Sequence, residues 1–308
     1  MAHKNASNDS PYKRRQQRNP QPLAQPTKEG LKKPFSTSAK APIINPASVS
    51  QRGMHKKPPV IFELQEANNR LFDVFHNHDF KVVNHEQRLQ LADFYRLLML
   101  EQENNNFTRL LTLKDIAIKH FIDSLLITEH TDLLFPLLDM GTGPGLPGIP
   151  LKILFPKQKI ILAEGVQKRV EFLKKVRSHM RLNNLDIIGR NIKEDFMYPV
   201  QSVITRAVED ISNTLRNVQG CLQKGGHVVL MKGPNVDPEI HTAQQEWSAH
   251  YKLIENKKYF LPSTPYERRL VIFEKRSQPV YFVDEISEIK LLSDELSNSE
   301  IQRWKTYK

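Results

Sequence analysis

Cysteine is nearly absent from this sequence of 308 residues, which contains only Cys221. A single cysteine excludes an internal disulfide, and no second thiolate is present to build a cysteine-type zinc site. We interpret Cys221 as a core residue, because free cysteine behaves as a small buried hydrophobe. The sequence therefore predicts no metal site and a protein of a reducing compartment, the cytoplasm.

Long apolar runs are also missing. No segment approaches the roughly 18 consecutive apolar residues that a membrane-spanning helix requires, which excludes an integral membrane protein. No apolar stretch near the N-terminus has the form of a secretory signal. The composition, 39% hydrophobic and 26% charged, is typical of a soluble globular protein, and 308 residues allow one large domain or two modest ones.

Acidic residues are scarce in residues 1–59, which hold twelve Lys and Arg residues against two acidic ones. That is a net charge of +10 in a chain whose total is +11. The same segment holds nine of the 20 prolines and no apolar period, so it cannot bury enough surface to offset the chain entropy lost on ordering. We therefore predict a disordered, basic N-terminal arm over 1–59.

Three interpretations of this arm stay open. An organellar transit peptide would be an amphipathic helix, which prolines at positions 11, 20, 22, 26 and 34 oppose. A solvated tail without a role is the second interpretation. We favour the third, in which basic side chains, among them Arg14 and Arg15, displace counterions from the phosphates of a nucleic acid.

From residue 60 onward the spacing of apolar residues indicates regular structure. Three helices, the third from about 112 to 128, predict a helical cap subdomain over 60–130. Over 131–275 strands alternate with helices, one of them spanning 208–223, which predicts an α/β fold with a doubly wound, mostly parallel sheet. Two late strands joined by a loop without a helix predict an antiparallel last strand. Residues 276–308 are predicted to form a C-terminal helical extension.

Glycine is sparse as well, with 12 residues in the chain, yet four of them stand between positions 141 and 148. This segment follows the first predicted strand of the sheet and reads Gly141-Thr142-Gly143-Pro144-Gly145-Leu146-Pro147-Gly148. Closely spaced glycines allow a sharp turn in which the backbone approaches a ligand. Because ligands of doubly wound sheets bind at the carboxyl ends of strands, the segment predicts a cofactor loop.

Two acidic residues bear on which cofactor this loop binds. Residues 143–148 satisfy the G-x-G-x-x-G pattern of dinucleotide-binding proteins. Asp139, however, would repel a pyrophosphate and can help to hold the ammonium group of S-adenosyl-L-methionine, directly or through water. Glu164, at the end of the second predicted strand, suits either cofactor as the acceptor of ribose hydroxyls. Asp139 and the antiparallel last strand favour S-adenosyl-L-methionine.

The glycine loop and its flanks carry a family resemblance. Residues 139–151, Asp-Met-Gly-Thr-Gly-Pro-Gly-Leu-Pro-Gly-Ile-Pro-Leu, resemble the signature of the RsmG (GidB) family. Shorter segments similar to family motifs are Asn106-Phe107-Thr108, His120-Phe121-Ile122-Asp123-Ser124, Arg206-Ala207, Lys232-Gly233 and Glu267-Arg268-Arg269-Leu270-Val271. The resemblance covers about residues 60–275 and implies a class I, Rossmann-like methyltransferase. It further implies methylation of N7 of a guanine in 16S ribosomal RNA.

The resemblance also implies functional positions in this chain. Together with the loop, it indicates cofactor contacts at Asp139, Gly141, Thr142, Gly143, Gly145, Leu146, Glu164, Ile192, Lys193 and Arg206. Lys232 and Arg268 are candidates for contacts with RNA phosphates. His120 and Asp123 are interpreted as a polar pair on one helix face that fixes the cap against the sheet.

Three positions depart from the family pattern. Glu164-Gly165 stands where the family usually has Asp-Ser, which keeps the carboxylate but lengthens its side chain by one methylene. Lys193 stands where an acid is usual, with Glu194 beside it, so the adenine contact shifts by one residue in our interpretation. Glu101-Gln102 replaces a Trp-Asn pair, which bears on how RNA is positioned rather than on the cofactor.

The implied reaction requires little of the side chains. Guanine N7 already presents a lone pair, so transfer needs in-line positioning and no general base, and no catalytic residue is assigned. We expect 16S rRNA or the small ribosomal subunit as partner, no membrane, and a monomer. Two other functions stay open: a nicotinamide-dependent oxidoreductase, and a non-catalytic RNA- or ribosome-binding protein on a methyltransferase scaffold.

Overall fold

The structure, a computed structural model, describes residues 60–206 and 208–278, without the side chains of residues 103 and 104. The predicted arm 1–59, with Arg14 and Arg15, lies outside these residues. So does the predicted C-terminal extension from residue 279 onward. In the described part of the chain no helix is both long and apolar enough to cross a membrane.

Two long helices open the described chain. Helix α1 spans Leu64–Asn77 and α2 spans His85–Asn105. Asn84 begins α2 with a capping box: its side chain accepts from the Gln87 N–H at 2.9 Å, and the Gln87 side chain accepts from the Asn84 N–H at 3.0 Å. These bonds satisfy two of the N–H groups that a helix start leaves free.

The next helical segment is not the continuous helix predicted for 112–128, and that prediction is wrong in its interior. Helix α3, Leu113–Ile116, passes into a π turn, Ala117–Ile122, and then into the short helix α4, Asp123–Leu125. A 3-10 turn, Leu126–Glu129, ends the segment. Apolar spacing cannot reveal the π turn, because nearly every side chain here is buried whichever way the helix is wound.

Seven strands of the described residues form one sheet in the order β3-β2-β1-β4-β5-β7-β6. Strand β7 runs antiparallel to both of its neighbours, and the other recorded pairings are parallel, as predicted. The strands are β1 Leu137–Met140, β2 Ile160–Ala163, β3 Leu185–Ile188, β4 Val200–Arg206, β5 Leu222–Lys232, β6 Tyr251–Phe260 and β7 Glu267–Lys275. The connecting helices are α5 Gly148–Leu154, α6 Gln167–His179, α7 Ile211–Asn217 and α8 Asp237–Trp247.

Helix α7 is shorter than the predicted 208–223, and that prediction is wrong at both ends. The helix ends at Asn217, and β5 already begins at Leu222. Gly220 lies between them so close to the Glu194 carbonyl oxygen that an added Cβ would approach it to 2.7 Å. Cys221 is therefore not in a helix, but it is fully buried, which confirms its interpretation as a core residue.

Both faces of the sheet are covered, because successive strand residues point to opposite sides. Leu137 and Ile160 belong to a core shared with α1 to α6, whereas Leu138 and Ile161 belong to a second core shared with α7 and α8. The helices preceding the sheet thus pack on one face only. The carboxyl edge of the parallel strands lies between these layers and receives the loops that follow β1, β2 and β4.

Candidate active site

The glycine loop after β1 turns tightly because three of its residues adopt positive φ. Gly141, Gly143 and Gly145 have φ of +71°, +61° and +104°. Gly145 has no room for a side chain either, since a Cβ would come within 2.5 Å of a side-chain carbon of Ile149. No atom lies within 4 Å of a Cβ built on Gly143, so the backbone there borders open space. The loop thus pairs one packed glycine with one that leaves room for a ligand.

Asp139, the third residue of β1, braces this loop from below. Its Oδ2 accepts from the Thr142 hydroxyl at 2.5 Å and from the Gly148 N–H at 2.7 Å. The side chain is fully buried, and Oδ1 has no hydrogen-bond partner among the described residues. Burial raises the pKa of Asp139 to about 7 despite these two bonds. One carboxyl oxygen of Asp139 therefore bonds both Thr142 and Gly148, while the other carboxyl oxygen has no hydrogen-bond partner in the described part of the chain.

Glu164, directly after β2, closes the loop from the side. Its Oε2 accepts from the Gly143 N–H at 2.9 Å and its Oε1 from the Val166 N–H at 2.8 Å. The side chain is buried, with Arg169 Nη1 3.6 Å away. Glycine fits at position 165 without displacing Asn191, whose side-chain oxygen would lie 2.3 Å from an added Cβ. The acid and the glycine loop are thus joined across two neighbouring strands.

The remaining predicted cofactor residues lie around this edge. Leu146, within the loop, is buried, and Ile192, between β3 and β4, is buried in the second core. Lys193 beside it is exposed. Arg206 is the last residue of β4, the strand that pairs with β1. The structure therefore joins Asp139 to Thr142 and Glu164 to Gly143, and it places the other predicted residues along the same edge.

Arg206 lies against the π turn. Its Nη1 donates to the Lys119 carbonyl at 3.3 Å and lies 3.6 Å from Asp123 Oδ2, and its Nη2 lies 3.4 Å from His120 Nδ1. Asp123 also forms an ion pair with Arg268, whose Nε donates to Asp123 Oδ1 at 2.8 Å. Burial lowers the pKa of His120 to about 3, so its imidazole is neutral at physiological pH. His120 and Asp123 do link the cap to the sheet, but through arginines rather than through each other.

Sequence reasoning missed this arginine pairing, since residues 123 and 268 are far apart in the chain. It also missed that Lys232 is engaged internally. Lys232 Nζ donates to Glu239 Oε2 at 2.8 Å and to the Glu209 carbonyl at 2.5 Å, and the residue is buried. Lys232 and Arg268, the predicted phosphate contacts, are thus both ion-paired within the chain. Among the described residues no group of three His, Cys, Asp or Glu side chains could hold a metal ion.

The site fits a sulfonium cofactor on observations that do not depend on the motif. Gly143 leaves open space beside the loop, Glu164 offers carboxylate oxygens at its rim, and Asp139 keeps one oxygen beneath it that no described residue bonds. A pyrophosphate would instead require N–H groups without acidic neighbours. The two carboxyl groups suit a ligand with an amine and a ribose. The sheet order with a reversed β7 and this acid-lined loop define a class I methyltransferase, with S-adenosyl-L-methionine as its cofactor.

Comparisons with known proteins narrow the class to a family. The family model described as "rRNA small subunit methyltransferase G" matches residues 87–271. This chain belongs to that family. A relative named "Ribosomal RNA small subunit methyltransferase G 2" from Bdellovibrio bacteriovorus is 62% identical over 256 residues, covering 83% of this chain and 100% of its own. A second relative, from Carboxydothermus hydrogenoformans, is named "Ribosomal RNA small subunit methyltransferase G". It is 32% identical over 198 residues, which cover 62% of this chain and 84% of the relative.

Solved structures share parts of the fold at low similarity. The TYW2 protein of M. jannaschii in complex with AdoMet aligns with a TM-score of 0.36 and 19% identity, over 46% of this chain and 68% of its own. The tRNA (m1A58) methyltransferase TrmI from Aquifex aeolicus aligns with a TM-score of 0.38 and 16% identity, over 51% of this chain and 69% of its own. Its family membership, independently of these structures, makes the protein a methyltransferase of ribosomal RNA and sets the nicotinamide alternative aside.

Proposed function

We propose that this protein transfers the methyl group of S-adenosyl-L-methionine to N7 of a guanine in small-subunit (16S) ribosomal RNA. The observation that carries the proposal is the glycine loop held between two carboxyl groups, Asp139 beneath it and Glu164 beside it. The names of the relatives support ribosomal RNA of the small subunit as the substrate class.

Residues of the loop and its neighbours divide the binding of the cofactor among them. Glu164 accepts from the ribose hydroxyls, and its bonds to the backbone hold it in place for this. Asp139 Oδ1, which no described residue bonds, faces the amine, directly or through a water molecule. Ile192 supplies an apolar contact to the adenine and Lys193 borders it. Gly141, Thr142, Gly145 and Leu146 shape the backbone that the methionine part lies against.

The chemistry requires the chain to align groups rather than to move protons. When bound, the cofactor supplies a methyl group on a sulfonium, whose S–C bond breaks as the guanine N7 lone pair forms the new N–C bond. No proton leaves N7, so no general base is needed, and none of the described acids is assigned that role.

RNA binding is proposed to come from charge as well as from the site. Residues 1–59 carry twelve basic side chains, Arg14 and Arg15 among them, and such a polycation releases counterions from any phosphate backbone. Lys232 and Arg268 are retained as candidates whose internal ion pairs would have to share their donors with a phosphate. We propose a monomer acting in the cytoplasm.

Transfer of labelled methyl tests the reaction. The purified full-length protein is incubated with labelled S-adenosyl-L-methionine and either free small-subunit rRNA or assembled small subunits, and the label is mapped. Borohydride reduction followed by aniline cleaves RNA at N7-methylguanine, so we expect one cleavage site that appears only after the reaction. Label on another atom would overturn the N7 assignment. No transfer to either substrate would instead support a non-catalytic RNA-binding protein.

Salt titration tests the arm. A full-length variant with the twelve Lys and Arg residues of 1–59 changed to Gln is compared with the wild type in RNA binding. Each lost phosphate contact lowers the slope of log affinity against log salt by about 0.7 to 0.9. We expect a flatter slope with unchanged affinity for S-adenosyl-L-methionine. An unchanged slope would remove the arm from the mechanism.

A further inference from the structure

The π turn Ala117–Ile122 leaves a backbone acceptor for a partner outside the helix. In a regular α-helix the Asp123 N–H would donate to Lys119, four residues earlier. Here it donates to the carbonyls of Ile118 and His120 instead. The Lys119 carbonyl accepts from Arg206 Nη1 at 3.3 Å. The widened turn therefore supplies the first of two acceptors around one guanidinium.

Two side chains of the same segment complete the surroundings of this guanidinium. His120 Nδ1 lies 3.1 Å from the Lys119 carbonyl oxygen and 3.4 Å from Arg206 Nη2, and its Nε2 lies 3.0 Å from the Thr108 hydroxyl. A neutral imidazole with its proton on Nδ1 donates to the Lys119 carbonyl, and its Nε2 accepts from Thr108. Asp123 Oδ2 lies 3.6 Å from Arg206 Nη1. The Lys119 carbonyl, held in place by His120, and the Asp123 carboxylate thus face the guanidinium from one side.

Asp123 also separates two positive charges. Its carboxylate lies between Arg206, at the end of β4, and Arg268, at the start of β7, and its side chain is only 6% exposed. Without this carboxylate two partly buried guanidinium groups would repel each other. The Tyr259 hydroxyl, buried beside them, has no hydrogen-bond partner among the described residues. The cluster therefore contains one carboxylate for two guanidinium groups, and the Tyr259 hydroxyl beside them has no partner among the described residues.

We infer that Asp123 and His120 are positioning residues, which orient the Arg206 guanidinium at the carboxyl edge of β4 so that it binds the carboxylate of S-adenosyl-L-methionine. Arg206 ends the strand next to β1, two residues beyond Ile204, the register partner of Asp139. The amine and the carboxylate of the cofactor would then meet Asp139 and Arg206 respectively. The inference rests on the proposed function only for the identity of the cofactor.

Calorimetric titration of the RNA-free, full-length protein with S-adenosyl-L-methionine tests this inference. A lost charge-assisted hydrogen bond network predicts affinity about tenfold or more weaker in Asp123→Asn. His120→Gln retains an N–H donor for the Lys119 carbonyl and should bind nearly as the wild type, whereas His120→Leu should lose several-fold in affinity. Asp237→Asn is the matched control, since Asp237 makes a similar two-point contact with Arg269 on β7 but is 69% exposed.

A purely structural role makes a different prediction. If the cluster only ties the cap to the sheet, the His120 variants would lower the melting temperature equally and leave affinity unchanged in the folded protein. Equal affinity of His120→Gln and His120→Leu would overturn the inference. So would a loss confined to the KM for RNA with unchanged cofactor binding, because Arg206 would then serve the RNA.

Asp123→Asn can unfold the chain, since it leaves two buried guanidinium groups with no acid between them. The double variant Asp123→Asn/Arg268→Gln removes one charge of each sign and leaves Arg206 without its ionic anchor. Weakened binding by the folded double variant supports the inference, and wild-type affinity contradicts it. Because binding is measured without RNA, failure of methyl transfer to rRNA would count against the proposed function and not against this one.

Discussion

Replacing Asp139 by Asn tests whether the loop is braced by a carboxyl group that burial keeps partly protonated. The Asn carbonyl oxygen can accept the same two bonds as Oδ2, from Thr142 and Gly148. The amide nitrogen takes the place of Oδ1, which lacks a partner among the described residues. The substitution therefore preserves the geometry of the loop and removes only the ability to ionise.

The magnitude follows from the pKa of Asp139, which burial raises from 3.8 to about 7. Between these values the unfolded chain has lost its proton and the folded chain has kept it, so raising the pH destabilises the fold. At about 1.4 kcal/mol per pH unit at most, and with the folded group half ionised at pH 7, the wild type loses about 3 kcal/mol between pH 4 and pH 7 from this group. The Asp139→Asn variant has no proton to lose at this position, so its stability lacks this contribution.

Urea unfolding of the cofactor-free protein at pH 5 and pH 7 measures this effect. We expect the free energy of unfolding of Asp139→Asn, relative to the wild type, to rise by about 2 kcal/mol from pH 5 to pH 7. Asp132→Asn, the same change at an exposed position, is the matched control. A difference between Asp139→Asn and wild type that is the same at both pH values would refute the reasoning.

Three further predictions concern the same edge and the core. Gly145→Ala should destabilise the fold by about 2 kcal/mol, because it adds a buried clash at a residue with positive φ. Gly143→Ala should cost about 1 kcal/mol of stability and mainly weaken cofactor binding. Urea titrations measure the stabilities and calorimetry the binding, and equal losses of stability in the two variants would contradict the prediction. Glu164→Gln places an amide against a backbone N–H and should weaken S-adenosyl-L-methionine binding about tenfold by calorimetry, with exposed Glu129→Gln unchanged as its control. Burial raises the pKa of the Cys221 thiol to about 12, so Ellman's reagent should label it only at the rate of unfolding, and fast labelling of the native protein would contradict its burial.

Local sequence patterns predict most of the fold. The alternation of strands and helices after Pro136 predicts the mostly parallel sheet, and the helix-free connection before residue 267 predicts the reversed β7. The end of α7 was not predictable, because the apolar pattern runs on past Asn217 and the close approach of Gly220 to the Glu194 carbonyl comes from another segment. Periodicity reports which residues are buried, not which backbone they pack against.

The candidate site likewise has a part that the sequence predicts and a part that it does not. The glycine loop, Asp139 and Glu164 lie where strand ends were predicted, and their mutual hydrogen bonds follow from neighbouring parallel strands ending at one edge. Lys232 and Arg268 looked like free phosphate contacts in the sequence. Their ion pairs depend on residues brought from other elements, so only the folded chain reveals them.

Short-range spacing and the conformational freedom of glycine are enough to predict the class of fold, the glycine loop and its two acids. The π turn and the pairing of Asp123 with both Arg206 and Arg268 become visible only in the folded chain. Buried charges must pair with whatever groups the fold brings beside them. Those partners come from strands and helices that are distant in the chain, and no local spacing encodes them.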